Sequence, residues 1–155
     1  PSRLEIWNLT TGKKESEALL DEEENEYYSC ISFSPDNKKL LLSGRDGKAC
    51  LWEASPLRFI LTFSDGSGHY IHSCFSPDGR YAAAGTADGF LAKWNTTTGE
   101  RIFEVYNHPG YISNVKFTSD GKSILTSHKN YYFNQFFSKH EGYPPGKYRT
   151  NIKNV

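Results

Sequence analysis

The chain lacks an excess of charge of either sign, and it lacks a long apolar run. Its 155 residues include 18 basic and 18 acidic side chains, which leave a formal net charge of zero. Such a balance supplies no overall field that would attract nucleic acid or an anionic membrane. No stretch of 18 consecutive apolar residues occurs, and the sequence therefore predicts no transmembrane helix.

Cysteine is scarce and methionine is absent. Cys30, Cys50 and Cys74 are odd in number, which does not suit a disulfide framework, and each lies in a predicted strand. We interpret them as reduced, buried, small hydrophobic residues, which are typical of proteins of the cytoplasm or the nucleus. Because no methionine is present, even at position 1, we expect the sequence to be a piece of a longer chain.

Signatures of catalysis and of metal binding are also missing. The sequence contains no nucleophile-elbow motif, no glycine-rich phosphate loop and no isolated pair of carboxylates. His69 and His72 are three residues apart, so on a strand they point to opposite faces and do not form a metal pair. We therefore predict that the protein is not an enzyme and has no cofactor and no bound metal.

What the sequence does contain is a repeat of 42 residues. A phenylalanine is followed 19 residues later by a second aromatic residue, and this pair occurs three times at constant spacing. The pairs are Phe33 and Trp52, Phe75 and Trp94, and Phe117 and Phe136. Trp7 precedes Phe33 by 26 residues rather than 23, which places a three-residue insertion in the acidic stretch 21–26. A fixed period of this length is the signature of a repeat architecture.

Each copy has the pattern of four short antiparallel strands. The first strand alternates in polarity, as in Ile31-Ser32-Phe33, and ends in a turn, SPDN, SPDG or TSDG, whose residues favour tight geometry. The second strand is continuously apolar, as in Leu40-Leu41-Leu42, which predicts a strand covered on both faces. A hairpin, Asp-Gly in two copies and Asn130-Tyr131 in the third, leads into a third strand that ends on the second aromatic residue, and a polar turn leads into the fourth.

These features predict an all-β fold, a β-propeller built from four-stranded antiparallel blades. One such unit cannot bury both of its faces alone, whereas copies stacked around an axis cover one another. The predicted units are a partial blade over 1–26, blades over 27–63 and 69–106, and a blade over 111–138 that lacks a clear fourth strand. Residues 139–155 are polar and are predicted to be a C-terminal tail.

The predicted ring is incomplete in this chain. At 42 residues per blade the chain supplies about three to four blades, whereas a closed propeller has about 4–8. We therefore expect further blades to come from the same parent chain or from another chain. An open stack would otherwise leave an apolar blade face exposed.

Between about residues 4 and 138 the chain resembles the WD-repeat propeller family. Members of that family link a His, a Ser or Thr, the hairpin Asp and the third-strand Trp by hydrogen bonds. By resemblance, this structural role falls to Asp46, Trp52, Asp88, Trp94 and His108. No single copy has all four groups, and no third strand here ends in Trp-Asp. We therefore expect each hairpin Asp to bond to backbone N–H groups instead.

The resemblance also implies a partner-binding face. The links from strand four to strand one and the hairpins between strands two and three share one end of a propeller, and in the family such loops contact partners. The corresponding positions here are Tyr27, Arg45, His69, Tyr111 and Lys129. The alternative for the tyrosines is packing against the neighbouring blade. The acidic loop 21–26 on the same face either meets a basic peptide or is a solvated loop.

Taken together, the pattern predicts a non-catalytic protein-interaction scaffold that binds a peptide or another subunit within a larger assembly. Nucleic acid is not a predicted partner, because the aromatic cluster 131–137 has too few basic neighbours for a stacking platform. A membrane is not a predicted partner either. The alternative is a ligand-sensing or autoinhibitory portion of a larger signalling NTPase, whose phosphate-binding loop would lie outside this sequence.

Overall fold

The computed structural model describes residues 3–20, 28–44, 48–63, 70–106, 110–129 and 153–154. All regular elements within these ranges are β-strands, so the all-β prediction is confirmed. In chain order they are β1 (Arg3–Asn8), β2 (Lys13–Leu19), β3 (Tyr28–Phe33), β4 (Lys39–Gly44), β5 (Ala49–Ala54), β6 (Leu57–Phe63), β7 (Tyr70–Phe75), β8 (Tyr81–Thr86), β9 (Phe90–Asn95), β10 (Arg101–Tyr106), β11 (Tyr111–Phe117), β12 (Ser123–Lys129) and β13 (Lys153–Asn154).

The strands form four antiparallel sheets in which sequence neighbours pair. β3 to β6 and β7 to β10 are complete four-stranded sheets, here called the first and second blades. β1 and β2 form a two-stranded sheet, the N-terminal half-blade, and β11 and β12 form the C-terminal sheet together with β13. The prediction of four-stranded antiparallel blades is therefore confirmed.

A repeated hydrogen-bond motif closes the turn between the first and second strands. Ser76 Oγ donates to Asp78 Oδ1 at 2.6 Å and accepts from Tyr81 N at 3.0 Å. Gly79 completes the turn with a φ of 71°, a left-handed conformation that glycine adopts without strain. The hydrogen bonds from Ser76 and then from Arg80 lower the pKa of Asp78 to about 2. The same motif joins Ser34 to Asp36 and Thr118 to Asp120.

The second strand of each blade is buried on both faces. In β4, Leu40 and Leu42 lie in one apolar cluster, and Leu41 lies in another cluster across the sheet. In β8, Ala82 and Ala83 are divided between two clusters in the same way. The continuous apolar runs therefore do form strands that have a neighbour on each side, as predicted.

The core lies between the sheets. Neighbouring sheets are in contact through their first strands, β3 with β7 and β7 with β11, as in sheets that radiate from a common axis. Between the two blades, Trp94 stacks on Phe63 with ring centroids 5.4 Å apart and meets Tyr70 edge-to-face at 5.3 Å. Trp52 lies in the equivalent cluster between the half-blade and the first blade. The third-strand tryptophan of each complete blade thus faces the preceding sheet.

The N-terminal half-blade covers only part of the first blade. It contacts the fourth strand β6, where Leu57 N donates to Ser16 Oγ at 3.4 Å. In the described part of the chain, the sheet of the half-blade comprises β1 and β2 only. Phe33 is consequently 49% exposed, whereas Phe75, at the equivalent position of the second blade, is 9% exposed. The described residues therefore comprise two complete blades and portions of others.

The C-terminal sheet departs from the regular pattern. The repeat predicts a third strand that ends at Phe136, but residues 130–152 lie outside the described residues. The strand that pairs with β12 is β13, with Lys153 opposite Ile124. In the second blade, Trp94 takes this place opposite Ala82. Two residues of the predicted tail therefore stand at the third-strand position.

Candidate partner-binding face

The candidate face is the end of the blades that carries the hairpins between strands two and three and the links from strand four to strand one. Because neighbouring strands are antiparallel, this end lies opposite the Ser-Pro-Asp turns. Several positions singled out from the sequence lie outside the described residues. They are Tyr27, Arg45, Asp46, His69 and His108. Their roles stay predictions.

Tyr111 and Lys129 are paired at this end of the C-terminal sheet. Tyr111 begins β11 and Lys129 ends β12, and the two residues stand directly opposite each other. Residues in such positions have Cα atoms about 4.5–5.5 Å apart. Tyr111 is half-buried, so part of its side chain is accessible to a partner and part packs within the protein. Two positions that are 18 residues apart in sequence are thereby brought together.

An aromatic pair at the same end was not singled out from the sequence. Phe90 begins β9 and Tyr106 ends β10, directly opposite each other. Their ring centroids are 5.1 Å apart and their planes are tilted by 53°. Tyr106 is about half exposed and therefore adds aromatic surface to this face. The sequence signal that could have indicated this pair is the aromatic residue directly after the Asp88-Gly89 hairpin.

A threonine hydroxyl closes the hairpin between β8 and β9. The hydroxyl of the buried Thr86 closes this hairpin, since it accepts from Phe90 N at 2.8 Å and donates to Phe90 O at 3.3 Å. Asp88 is exposed, and no hydrogen bond joins its carboxylate to another described residue. Among the described residues, no backbone N–H group bonds to the Asp88 carboxylate, and its expected role stays a prediction. The aspartates that do bind backbone N–H groups are those of the Ser-Pro-Asp turns.

The indole rings of Trp52 and Trp94 pack against other aromatic rings. Trp94 makes the two ring contacts described above, and Trp52 lies edge-to-face with Phe59 at 5.7 Å. The indole N–H of Trp52 is buried and bonds to no described residue. A buried donor without a partner costs about 1–3 kcal/mol. The hydrogen-bond network implied by the family resemblance is therefore not formed around Trp52 within the described ranges.

A side chain on the first strand of each blade contacts the backbone of the next sheet. Cys30 Sγ donates to Ser73 O at 3.5 Å, and Val115 N donates to His72 Nδ1 at 3.4 Å. Cys30 and His72 are one repeat apart, and each contact spans 43 residues. The same position of the repeat thus makes a contact between sheets twice, once through the Cys30 thiol and once through the His72 imidazole. No inter-blade contact was predicted for His72, although its position one repeat after Cys30 was an available signal.

Burial changes how two groups of β7 titrate. Burial, and to a smaller degree the charge of Lys116, lowers the pKa of His72 below its ordinary value of 6.5. The neutral ring is the form that accepts the Val115 N–H. Burial also raises the pKa of the Cys74 thiol to about 12. That thiol is therefore protonated and poorly reactive at neutral pH, which agrees with a reduced cysteine. The three cysteines form no disulfide with one another.

We expect His72 to make the protein less stable in mild acid. Because its pKa is lower in the folded chain than in the unfolded chain, the unfolded state binds the proton more tightly. Above the ordinary pKa of 6.5 the ring is neutral in both states, and protonation of His72 costs no stability. As the pH falls through 6.5 towards the pKa in the folded chain, the free energy of unfolding decreases. The measurement is the urea midpoint of the wild type and of His72→Asn between about pH 7 and pH 5.

The variant His72→Asn should lose less stability than the wild type over this interval, because Asn does not titrate. Asn is also the residue one repeat later, at position 114. Equal losses for the two proteins would contradict the assignment of this pH dependence to His72.

Two features are absent from the part of the chain that the structure describes. No group of three or more His, Cys, Asp and Glu side chains is placed to hold a metal ion there. Those residues also include no helix long and apolar enough to cross a membrane.

Comparison with known proteins identifies the repeats. The family model described as "WD domain, G-beta repeat" matches residues 22–53 and 58–95. Each matched segment ends one residue after a third-strand tryptophan, Trp52 or Trp94. The ends of the two matches are therefore one period of 42 residues apart.

Three curated proteins are similar in sequence to this chain. Autophagy-related protein 16 of Arabidopsis thaliana is 27% identical over 133 residues, 83% of this chain and 26% of that protein. WD repeat-containing protein 82 of Drosophila melanogaster is 31% identical over 103 residues, 63% of this chain and 32% of that protein. Eukaryotic translation initiation factor 3 subunit I of Aspergillus oryzae is 30% identical over 95 residues, 61% of this chain and 28% of that protein.

The chain spans about a quarter to a third of the length of these relatives. One of these relatives is named a WD repeat-containing protein. Each matched segment ends in the third strand of one of the two complete four-stranded sheets. Residues 22–53 and 58–95 of this chain are therefore similar to WD repeats.

Proposed function

We propose that this chain is a non-catalytic interaction scaffold that binds a peptide or another subunit through the hairpin end of its blades. The observation that carries the proposal is the clustering of aromatic and basic positions at that end. Tyr111 stands opposite Lys129, and Phe90 and Tyr106 form a ring pair on the second blade. Tyrosine is a frequent anchor of protein interfaces.

The blades supply the preorganisation that such binding needs. The strand ends of the second blade are held by a ladder of backbone hydrogen bonds and by a core on either side of the sheet. Little conformational entropy is then lost when a partner binds. The predicted neighbours Arg45 and the acidic loop 21–26 would add charges of both signs. One relative is named a subunit of an initiation factor, which is in line with a scaffold in a cytoplasmic or nuclear assembly.

We expect Arg45→Ala and Tyr111→Ala to weaken partner binding with little loss of folding. Truncation of an interface anchor costs about 2 kcal/mol or more, which is roughly a 30-fold loss of affinity. The probe is a peptide selected from a phage-displayed library on the immobilised wild-type chain. Its affinity for each variant is then measured by calorimetric titration, and folding is checked by circular dichroism.

Lys122→Ala is the matched control, because Lys122 is an exposed residue of the turn at the opposite end of the C-terminal sheet. It should bind the selected peptide as the wild type does. Unchanged affinity in both Arg45→Ala and Tyr111→Ala, in chains that stay folded, would rule out this face.

The alternative, a sensor portion of a larger signalling NTPase, rests on sequence outside this chain. It would be favoured by a phosphate-binding Gly-Lys-Ser or Gly-Lys-Thr loop in a separate domain of the parent protein. The described residues hold no observation that prefers it to the scaffold.

A further inference from the structure

Three serine hydroxyls on the first and second blades are buried and bond to none of the described residues. They belong to Ser32 on β3, Ser43 on β4 and Ser73 on β7. Ser43 is 0% exposed and Ser73 is 1% exposed. Because nearly all buried polar groups in folded proteins are hydrogen-bonded, such a set of hydroxyls indicates that a polar molecule binds between them.

The strand pattern directs two of these hydroxyls into the same contact. Side chains two residues apart on a strand share a face of the sheet. Ser43 therefore faces the same way as Leu41, and Ser73 faces the same way as Phe75. Leu41 and Phe75 pack in the apolar cluster that joins the first blade to the second. The side chains of Ser43 and Ser73 consequently enter this contact from its two sides.

A contact of Cys30 places Ser73 beside Ser43. Cys30 stands directly opposite Ser43 in the pairing of β3 with β4, and the Cβ atoms of such residues are about 4.5–5.5 Å apart. Cys30 Sγ donates to Ser73 O at 3.5 Å, so the backbone of Ser73 lies next to this pair. Ser32 is two residues from Cys30 along β3 and therefore faces the same way.

The next contact between sheets has no hydroxyl at the two central positions. One repeat later, Gly85 takes the place of Ser43, and Val115 takes the place of Ser73. There a Cβ at position 85 would lie 3.0 Å from Val115 Cγ2. Since β4 contacts β7 as β8 contacts β11, positions 43 and 73 lie face to face in the same way. The contact between the two complete blades is thus polar where the following one is apolar.

We propose that a buried water molecule is bound between the first and second blades, where it bridges Ser43 Oγ and Ser73 Oγ and takes Ser32 Oγ as a third partner. The hydroxyls of Ser43 and Ser73 are adjacent but do not bond to each other, and water commonly spans such a separation. A buried water makes about three hydrogen bonds to polar groups that otherwise have none. Each serine hydroxyl is uncharged and can both donate and accept, which suits water better than an ion.

The water would join β4 to β7 by hydrogen bonds that the glycine and valine of the next contact cannot make. All of its proposed partners lie inside the molecule rather than among the exposed groups of the hairpin end. The water site is therefore independent of the proposed function, and either one can fail without the other.

The first test is a high-resolution crystal structure of the 155-residue chain. We expect an ordered solvent oxygen within about 3.2 Å of both Ser43 Oγ and Ser73 Oγ. A direct hydrogen bond between these two hydroxyls would overturn the proposal. Well-ordered serines with no solvent density between them would overturn it as well.

The second test is a double-mutant cycle on the equilibrium constant of unfolding in urea. Ser43→Ala and Ser73→Ala should each raise this constant about 5- to 30-fold, because each removes one partner of the water and leaves the other hydroxyl poorly bonded. The double variant should raise the constant by less than the product of the two single effects, since both serines act through one water.

Ser127→Ala is the matched control, because Ser127 lies two repeats after Ser43 and is exposed. It should change the constant of unfolding by no more than about two- to threefold. Effects of Ser43→Ala and Ser73→Ala as small as that of the control would overturn the proposal. Single effects that multiply in the double variant would show that the two hydroxyls share no water.

Discussion

Trp94→Ala is expected to lower the free energy of unfolding by about 3–5 kcal/mol, the usual cost of deleting a large buried aromatic side chain. Trp94 is 2% exposed, stacks on Phe63 and meets Tyr70 edge-to-face. Its removal therefore leaves a cavity between the two complete blades, and each blade loses part of the surface that covers it. The measurement is the urea unfolding free energy of the two proteins, followed by tryptophan fluorescence and by circular dichroism.

Trp7→Ala is the control for this substitution, because Trp7 occupies the same position of the repeat and is 52% exposed. It should change the unfolding free energy by no more than about 1 kcal/mol. Similar losses for Trp7→Ala and Trp94→Ala would show that Trp94 does not hold the two blades together.

Gly85→Ala is expected to destabilise the fold by about 1–3 kcal/mol, the usual cost of overfilling a packed core. A Cβ at position 85 would lie 2.4 Å from Ile112 Cγ2, 2.8 Å from Ile112 Cβ and 3.0 Å from Val115 Cγ2. Ile112 and Val115 are fully buried between the second blade and the C-terminal sheet, so neither can move aside without disturbing this contact. The steric cost outweighs the gain of about 0.5–1 kcal/mol that replacing a strand glycine otherwise brings.

Two further variants test the cause. Ser127→Ala alters the same position one repeat later, where the residue is exposed, and should change stability by about 0.5 kcal/mol or less. Ile112→Ala removes the atoms that the new Cβ meets, so the double variant should lose less stability than the sum of the single losses. Additive losses would mean that the effect of Gly85→Ala does not come from the approach of Ile112.

The repeat in the sequence was sufficient to predict the blades, because strand patterns are local. Alternation over residues 31–33 predicts a first strand, and the apolar run Leu40 to Leu42 predicts a strand with two covered faces. Both predictions are confirmed. The Ser-Pro-Asp turns are local as well, since their hydrogen bonds join residues no more than five apart.

The candidate face was predictable only in part. The register places Tyr111 and Lys129 at one end of a sheet, and the structure pairs them. The choice between Asp88 and Thr86 as the group that closes the hairpin was not predictable, because either side chain can accept a backbone N–H. The contact of His72 with Val115 was also missed, since it joins two sheets and depends on how closely they approach.

By itself, the sequence determined the period, the strand order within each blade and the turns, all of which follow from residues near one another in the chain. Only the tertiary structure decided which copies of a repeated residue are buried. Phe33 and Phe75 have the same local pattern, yet one is half exposed and the other is buried. The reason is that burial depends on the neighbouring sheet: the complete first blade lies beside Phe75, whereas the described part of the sheet that precedes Phe33 comprises two strands only.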